Sequence, residues 1–169
     1  MHYAIRPLEE RDLPSYRALR LQALTECPTA FGATPESELA LSDAQILGCF
    51  GGTEGRAMWG GFDDSGQLFG FLGLYRDQGE KVVHKDHLFA MYVTQQARGQ
   101  GLARKLLQTA TAYGRSLKLR QLLLSCNARN HNALRLYEQS GFSSYGLEPA
   151  ALCIAGHFFD EVLMVQELA

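Results

Sequence analysis

Apolar positions along this chain change their period several times, and each change marks an element. Tyr3-Ala4-Ile5-Arg6 reads as a short strand stopped by Pro7, because proline has no amide hydrogen to give to a ladder. Leu13, Tyr16, Leu19, Leu21, Ala23 and Leu24 recur at roughly helical spacing, which predicts a helix from about Leu13 to Glu26 with Asp12 as its cap. Cys27-Pro28-Thr29-Ala30-Phe31-Gly32 breaks that pattern. Ser42, followed three residues later by Gln45, is a capping box for a short helix reaching about Cys49 and ended by Gly51-Gly52.

The period then becomes that of sheet. Ala57 to Phe62 and Leu68 to Tyr75 flank Asp63-Asp64-Ser65-Gly66, whose turn chemistry predicts an antiparallel hairpin, and His87 to Val93 follows as a third strand. Leu102, Leu106, Leu107, Ala110, Tyr113 and Leu117 trace one face of a long helix, after which Leu122-Leu123-Leu124-Ser125 reads as a buried strand. A strand, a crossover helix and a strand in that order predict a parallel pair. Asn130 to Ser140 is a further helix stopped by Gly141, and Phe142 to Tyr145 and Phe158 to Val165 supply two closing strands. The expected architecture is an α/β mixed sheet of about seven mostly antiparallel strands with a central parallel pair and four helices. No repeat, low-complexity tract or linker interrupts it, so residues 1–169 are expected to form a single domain.

Composition narrows the classes. With 16 basic against 18 acidic residues and a formal charge of -2, the chain lacks the basic excess of a nucleic-acid binder. Cys27, Cys49, Cys126 and Cys153 are scattered without zinc-ligand spacing, which points to reduced, mostly buried thiols and to no metal. The amino-terminal stretch lacks the basic and apolar regions of a secretion signal, and no apolar run approaches spanning length; a cytoplasmic location without membrane contact is expected.

Two segments carry chemistry. Arg98-Gly99-Gln100-Gly101-Leu102-Ala103 lies between the strand ending at Val93 and the helix after it. Glycines there expose backbone N–H groups at a helix N-terminus, where orphan donors and the macrodipole favour a diphosphate; a plain connecting turn would have the same look. In the second segment, Asn127 to Phe142, the residues Asn130, Ala133 and Tyr137 share a helix face, either as a cofactor wall or as cap and core. A dinucleotide or nucleoside triphosphate site is disfavoured, since G-x-G-x-x-G is missing and no G-K-[ST] follows the glycines.

Together the two segments resemble the GCN5-related N-acetyltransferase (GNAT) superfamily, bacterial type, through R-x-x-G-x-[GA] and N-x-x-N-x-x-A-x-x-L-Y-x-x-x-G-F. That resemblance implies transfer of an acetyl group from acetyl-CoA to an amine of a small molecule, amino acid or peptide, with a catalytically idle CoA-binding module as the alternative. It places the CoA pyrophosphate on Arg98, Gly99, Gln100, Gly101, Leu102, Ala103 and Arg104. The thioester falls to backbone groups of Met91, Tyr92 and Val93 on a strand splayed from its parallel neighbour, and the pantetheine arm to Asn127, Asn130, Ala133 and Tyr137. The Tyr137 hydroxyl would protonate the departing thiolate. Many relatives carry a glutamate on the fourth strand as base, and here His87 stands at about that place, either as base or as a polar strand end. Alternation puts His87 on the face of Phe89, Met91 and Val93, opposite Asp86. Phe31, Glu36, Glu38 and residues near Tyr145 are expected to choose the acceptor, with Glu36 and Glu38 attracting a cationic amine or merely solvated. The closing strands of such proteins often pair in dimers, so a homodimer is a further expectation.

Overall fold

The computed structural model describes residues 2–53 and 55–169. Its strands are β1 (Ala4–Pro7), β2 (Arg56–Phe62), β3 (Leu68–Tyr75), β4 (Lys85–Val93), β5 (Gln121–Asn127), β6 (Ser143–Ile154) and β7 (His157–Glu167). They join in one seven-stranded sheet of order β1-β2-β3-β4-β5-β7-β6. Every pairing is antiparallel except β4 with β5. The crossover between those two is α4 (Leu102–Ser116), and α5 (His131–Gln139) follows β5. Before β2 stand α1 (Leu13–Glu26), α2 (Pro35–Leu39) and α3 (Asp43–Phe50).

Both sheet faces are covered, which explains why β2 and β3 read as nearly continuous apolar runs. Side chains alternate across a strand, so Met58 and Phe71 enter a core with Leu13, Tyr16, Ile46 and Phe50. Their neighbours Trp59 and Leu72 enter the opposite core with Leu102, Leu106, Leu107 and Leu122. Leu106, Leu107 and Leu122 are sealed from solvent, each contributing about 1.5–3 kcal/mol on burial. These contacts fix α4 against the sheet and hold its N-terminus beside the end of β4.

Several expectations change. The described residues form five α-helices rather than four, because Thr34 caps the short α2 through a reciprocal bond with Ser37. Ser42 and Gln45 do form their capping box. Asp12 makes no side-chain bond to α1. It accepts instead from Arg6 Nη1 and Nη2 at 2.6 and 2.9 Å and from the Glu9 amide at 2.8 Å. Pro7 ends inside β1 rather than before its end, and β6 runs to Ile154. Of the four free cysteines only Cys126 is buried.

The largest correction concerns β4. Ala90 adopts a φ of 57°, and the pairing with β3 slips between Phe71↔Tyr92 and Gly73↔Phe89, so that two residues of β4 oppose Leu72. One extra residue in a strand reverses the faces beyond it. Leu88, Met91 and Val93 accordingly share the α4-side core, whereas Phe89, Ala90 and Tyr92 pack on the α1 side. His87 precedes the bulge and keeps the face of Phe89, so the expected common face with Met91 and Val93 does not exist.

Candidate active site

The parallel ladder between β4 and β5 runs only from Lys85↔Gln121 to His87↔Leu123. Past that point the strands diverge, and the edge of β4 from Leu88 to Val93 has no ladder partner on β5. The gap opens into a groove of about 910 Å³. Its walls come from both cores: Met91, Val93, Leu102 and Tyr137 from one side of the sheet, Phe31, Phe89 and Tyr92 from the other. The groove therefore traverses the sheet and has a mouth on each face.

At the α4 mouth, Arg98 Nε donates to Val93 O at 3.1 Å, and its guanidinium carbon lies 5.9 Å from the centre of the Tyr92 ring. These contacts set the turn. Gly99 and Gly101 follow with φ of 75° and 82°, values that L side chains adopt only with strain. A Cβ on either glycine would meet no protein atom within 4 Å, so the space before them is open. Gly101 is the N-cap of α4 and offers no side-chain acceptor to the helix. The Lys105 amide is the one that closes the first helical turn, onto Gly101 O at 3.1 Å, leaving the donors of Leu102, Ala103 and Arg104 for a ligand. Arg104 Nη2 donates to Gln139 Oε1 at 3.0 Å and ties this turn to α5.

The opposite wall is β5 and α5. Asn130 caps α5 by accepting from the Ala133 amide at 3.1 Å, so it lines the groove and holds the helix at once. Asn127 is buried; its amide donates to Thr29 O at 3.0 Å and its carbonyl accepts from the Arg129 amide at 2.9 Å. That bond fastens the strap, residues 27–34, across the groove. Tyr137 is 8% exposed and meets Phe142 edge-on at 6.1 Å. Burial raises its phenol above the ordinary range, with a smaller push from Cys126, so the hydroxyl keeps its proton. Burial likewise pushes the Cys126 thiol up to about 11, which disarms it as a nucleophile.

Of the residues expected to bind the coenzyme or act in catalysis, only His87 and Gln100 fail to line this groove; of those expected to choose the acceptor, Phe31 lines it and Glu36, Glu38 and Tyr145 do not. Gln100 donates to Gln96 O at 2.7 Å and accepts from the Tyr3 hydroxyl at 3.5 Å. His87 lies at the closed end of the ladder, its Nε2 2.9 Å from Asp77 Oδ2 and its ring stacked on Tyr75 at 4.9 Å. Asp86 is sealed beneath the other face, paired with Arg76 at 2.6 Å. Glu38 is not a free carboxylate: it is 6% exposed and receives Arg20 Nε at 3.3 Å. Ser125 and Cys126 also line the groove; their place on β5 opposite the unpaired stretch of β4 is the signal that could have found them.

A sheet opened between two parallel strands, with main-chain donors at one end and a protonated phenol within, has the form of an acyl-coenzyme transferase. The family model for the acetyltransferase (GNAT) family matches residues 18–142, and the chain belongs to that family. Along 98% of its length it is 24% identical to 99% of a Bacillus subtilis protein named "Putative phosphinothricin acetyltransferase YwnH". Its fold superposes on a GNAT-family acetyltransferase from Streptococcus pneumoniae with a TM-score of 0.86, at 23% identity over 98% of this chain and 99% of that one. Against yncA from Salmonella typhimurium, solved with its cofactor acetyl-CoA, the TM-score is 0.85 at 17% identity, covering 100% and 95% of the two chains. The protein is thus an acetyltransferase of a family that draws on acetyl-CoA and acts on amines. Among the described residues no helix is long and apolar enough to cross a membrane.

Proposed function

We propose that the chain transfers the acetyl group of acetyl-CoA directly to a primary amine, with the coenzyme entering at the α4 mouth and the amine at the opposite one. The carrying observation is the groove itself, which passes through the sheet and joins free helix-start donors to Tyr137. The coenzyme's diphosphate suits the open space before Gly99 and Gly101 and the donors of Leu102 and Ala103, with Arg98 and Arg104 adding positive charge. Met91, Tyr92 and Val93 offer the unpaired edge of β4 to its amide-bearing arm, while Asn127, Asn130 and Ala133 form the facing wall. When bound, acetyl-CoA supplies an acyl carbon activated as a thioester.

Backbone N–H groups of β4 orient the acyl oxygen and stabilise negative charge developing there. Tyr137, whose phenol is held protonated by burial, gives its proton to the departing sulfur. On the amine's side, His87, which stands off the groove with its Nε2 2.9 Å from Asp77, takes through intervening water the proton that the attacking nitrogen must lose. A new N–C bond replaces the S–C bond and two protons are relayed. Residues 1–169 work as one catalytic domain, and the four free thiols fit a reducing cytoplasm.

Following thiol release from acetyl-CoA with a panel of amines tests this reading. Tyr137→Phe should lower kcat by about 10²–10⁴-fold with an unchanged dissociation constant for acetyl-CoA. A variant that keeps its rate would remove Tyr137 from the proton relay.

A further inference from the structure

The acceptor mouth is enclosed by the strap and by β4, and among the described residues lining the groove none is acidic. Its two charged lining residues are Arg104, tied to α5 at the α4 mouth, and Arg98, whose guanidinium reaches over the Tyr92 ring to lie 3.9 Å from Cys27 Sγ in the strap. One nearby carboxylate, Glu38, is paired with a cation, whereas Glu26 accepts from a neutral phenol, is held by it below the ordinary carboxylate range and keeps its charge. Glu38 holds Arg20 at 3.3 Å, Glu26 accepts from the Tyr92 hydroxyl at 2.6 Å, and Asp77 holds His87 at 2.9 Å. What faces the groove from this side is apolar surface, chiefly the rings of Phe31 and Phe89.

Phe31 is fixed in an unusual way. Arg20 and Glu38, 8% and 6% exposed, form an ion pair between α1 and α2, and the Arg20 guanidinium carbon sits 4.9 Å from the centre of the Phe31 ring. Arg20 Nη1 is buried without a hydrogen-bond partner. A buried ion pair returns little net stability, and an unsatisfied donor costs more; such a device is better explained by what it places than by what it stabilises. What it places is a ring at the acceptor mouth.

We propose that the acceptor is a monoamine carried on an apolar, aliphatic or aromatic body, that Phe31 is the wall against which that body packs, and that Arg20 and Glu38 are positioning residues for the ring. The inference rests on the acetyl-transfer reading above and adds the substrate class. The Phe31 and Phe89 rings reward an apolar body, whereas a second ionic group laid against them would lose its hydration without gaining a partner from the rings.

The test uses acetyl-CoA with 2-phenylethylamine, spermidine and glutamate as acceptors, followed by thiol release. We expect kcat/KM for 2-phenylethylamine to exceed that for the other two by about tenfold or more. Phe31→Ala should raise KM for that amine about tenfold while leaving KM for acetyl-CoA unchanged. Arg20→Met combined with Glu38→Leu, which removes both charges and so avoids stranding one, should reproduce the same one-sided KM change in part. Preference for spermidine or glutamate, or a Phe31→Ala effect shared equally by both substrates, overturns the inference while acetyl transfer stands. Absence of thiol release with every amine, when calorimetry shows acetyl-CoA bound, overturns the acetyl-transfer reading and the inference together.

Discussion

The two mouths of the groove are made of different material. At the α4 mouth the ligand-facing groups are main-chain amides on consecutive residues, and the side chains serve mainly to shape the turn, with glycine wherever φ is positive. At the strap mouth the facing groups are side chains of the strap and of β4, and their placement depends on a bulge at Ala90 and an ion pair between α1 and α2. Backbone donors recognise a charge and ignore the rest of the molecule, which suits a coenzyme common to a whole family. Side-chain walls recognise shape, which suits an acceptor that differs from one enzyme to the next.

This contrast separates the effects of substitutions at the two mouths, and the larger of them belongs to the strap side. His87→Ala should lower kcat/KM for the amine by about 100-fold, with acetyl-CoA binding intact and part of the rate restored by added imidazole; Asp77→Asn should fall between this variant and wild type. At the other mouth, Gly101→Val imposes strain on a residue with φ of 82°. At about 1–3 kcal/mol this should weaken coenzyme binding about tenfold by calorimetry while KM for the amine stays put. If either variant altered both ligands alike, the separation of the mouths would fail.

The smallest effect lies outside both. The Arg6 guanidinium, then the Glu9 amide, hold the Asp12 carboxyl below the usual carboxylate range against the opposing cost of burial. A group depressed in the folded state contributes stability above its unfolded pKa of about 3.9 and loses it as pH falls through the folded value. Arg6 is one-third exposed, so Asp12→Asn should cost only about 1 kcal/mol near pH 7. In thermal unfolding the gap to wild type should narrow as the pH falls below the unfolded value and close once it has passed the lowered folded one. Neither KM should change.

The same contrast governs what the amino-acid order reveals. The glycine turn, the Asn130 cap and the Tyr137 face are local, set by residues within a few positions of one another, and each stands where its spacing puts it. The sheet order up to the parallel crossover is legible for the same reason. The face of His87 relative to Met91 is not, because alternation carries no mark of the extra residue at Ala90, where an alanine occupies a backbone conformation that glycine usually takes. The pairing of His87 with Asp77 needs the β3–β4 register. Glu38 looks like a solvated acid until α2 is seen to fold it against Arg20; the clue is that Arg20 sits between Leu19 and Ala23 on the buried stripe of α1. The start of α2 is local as well: Thr34 as cap with Pro35 at the first helical position carries the ordinary marks of a helix start.

The central claim, that the start of α4 grips the coenzyme's diphosphate, is tested most directly by following backbone amide resonances while coenzyme A is titrated into the labelled protein. The account predicts saturable shifts concentrated at Gly99, Gly101, Leu102 and Ala103, with the β4 amides of Met91 to Val93 moving in the same transition. Saturation with these amides unmoved, or no binding at all, would contradict it.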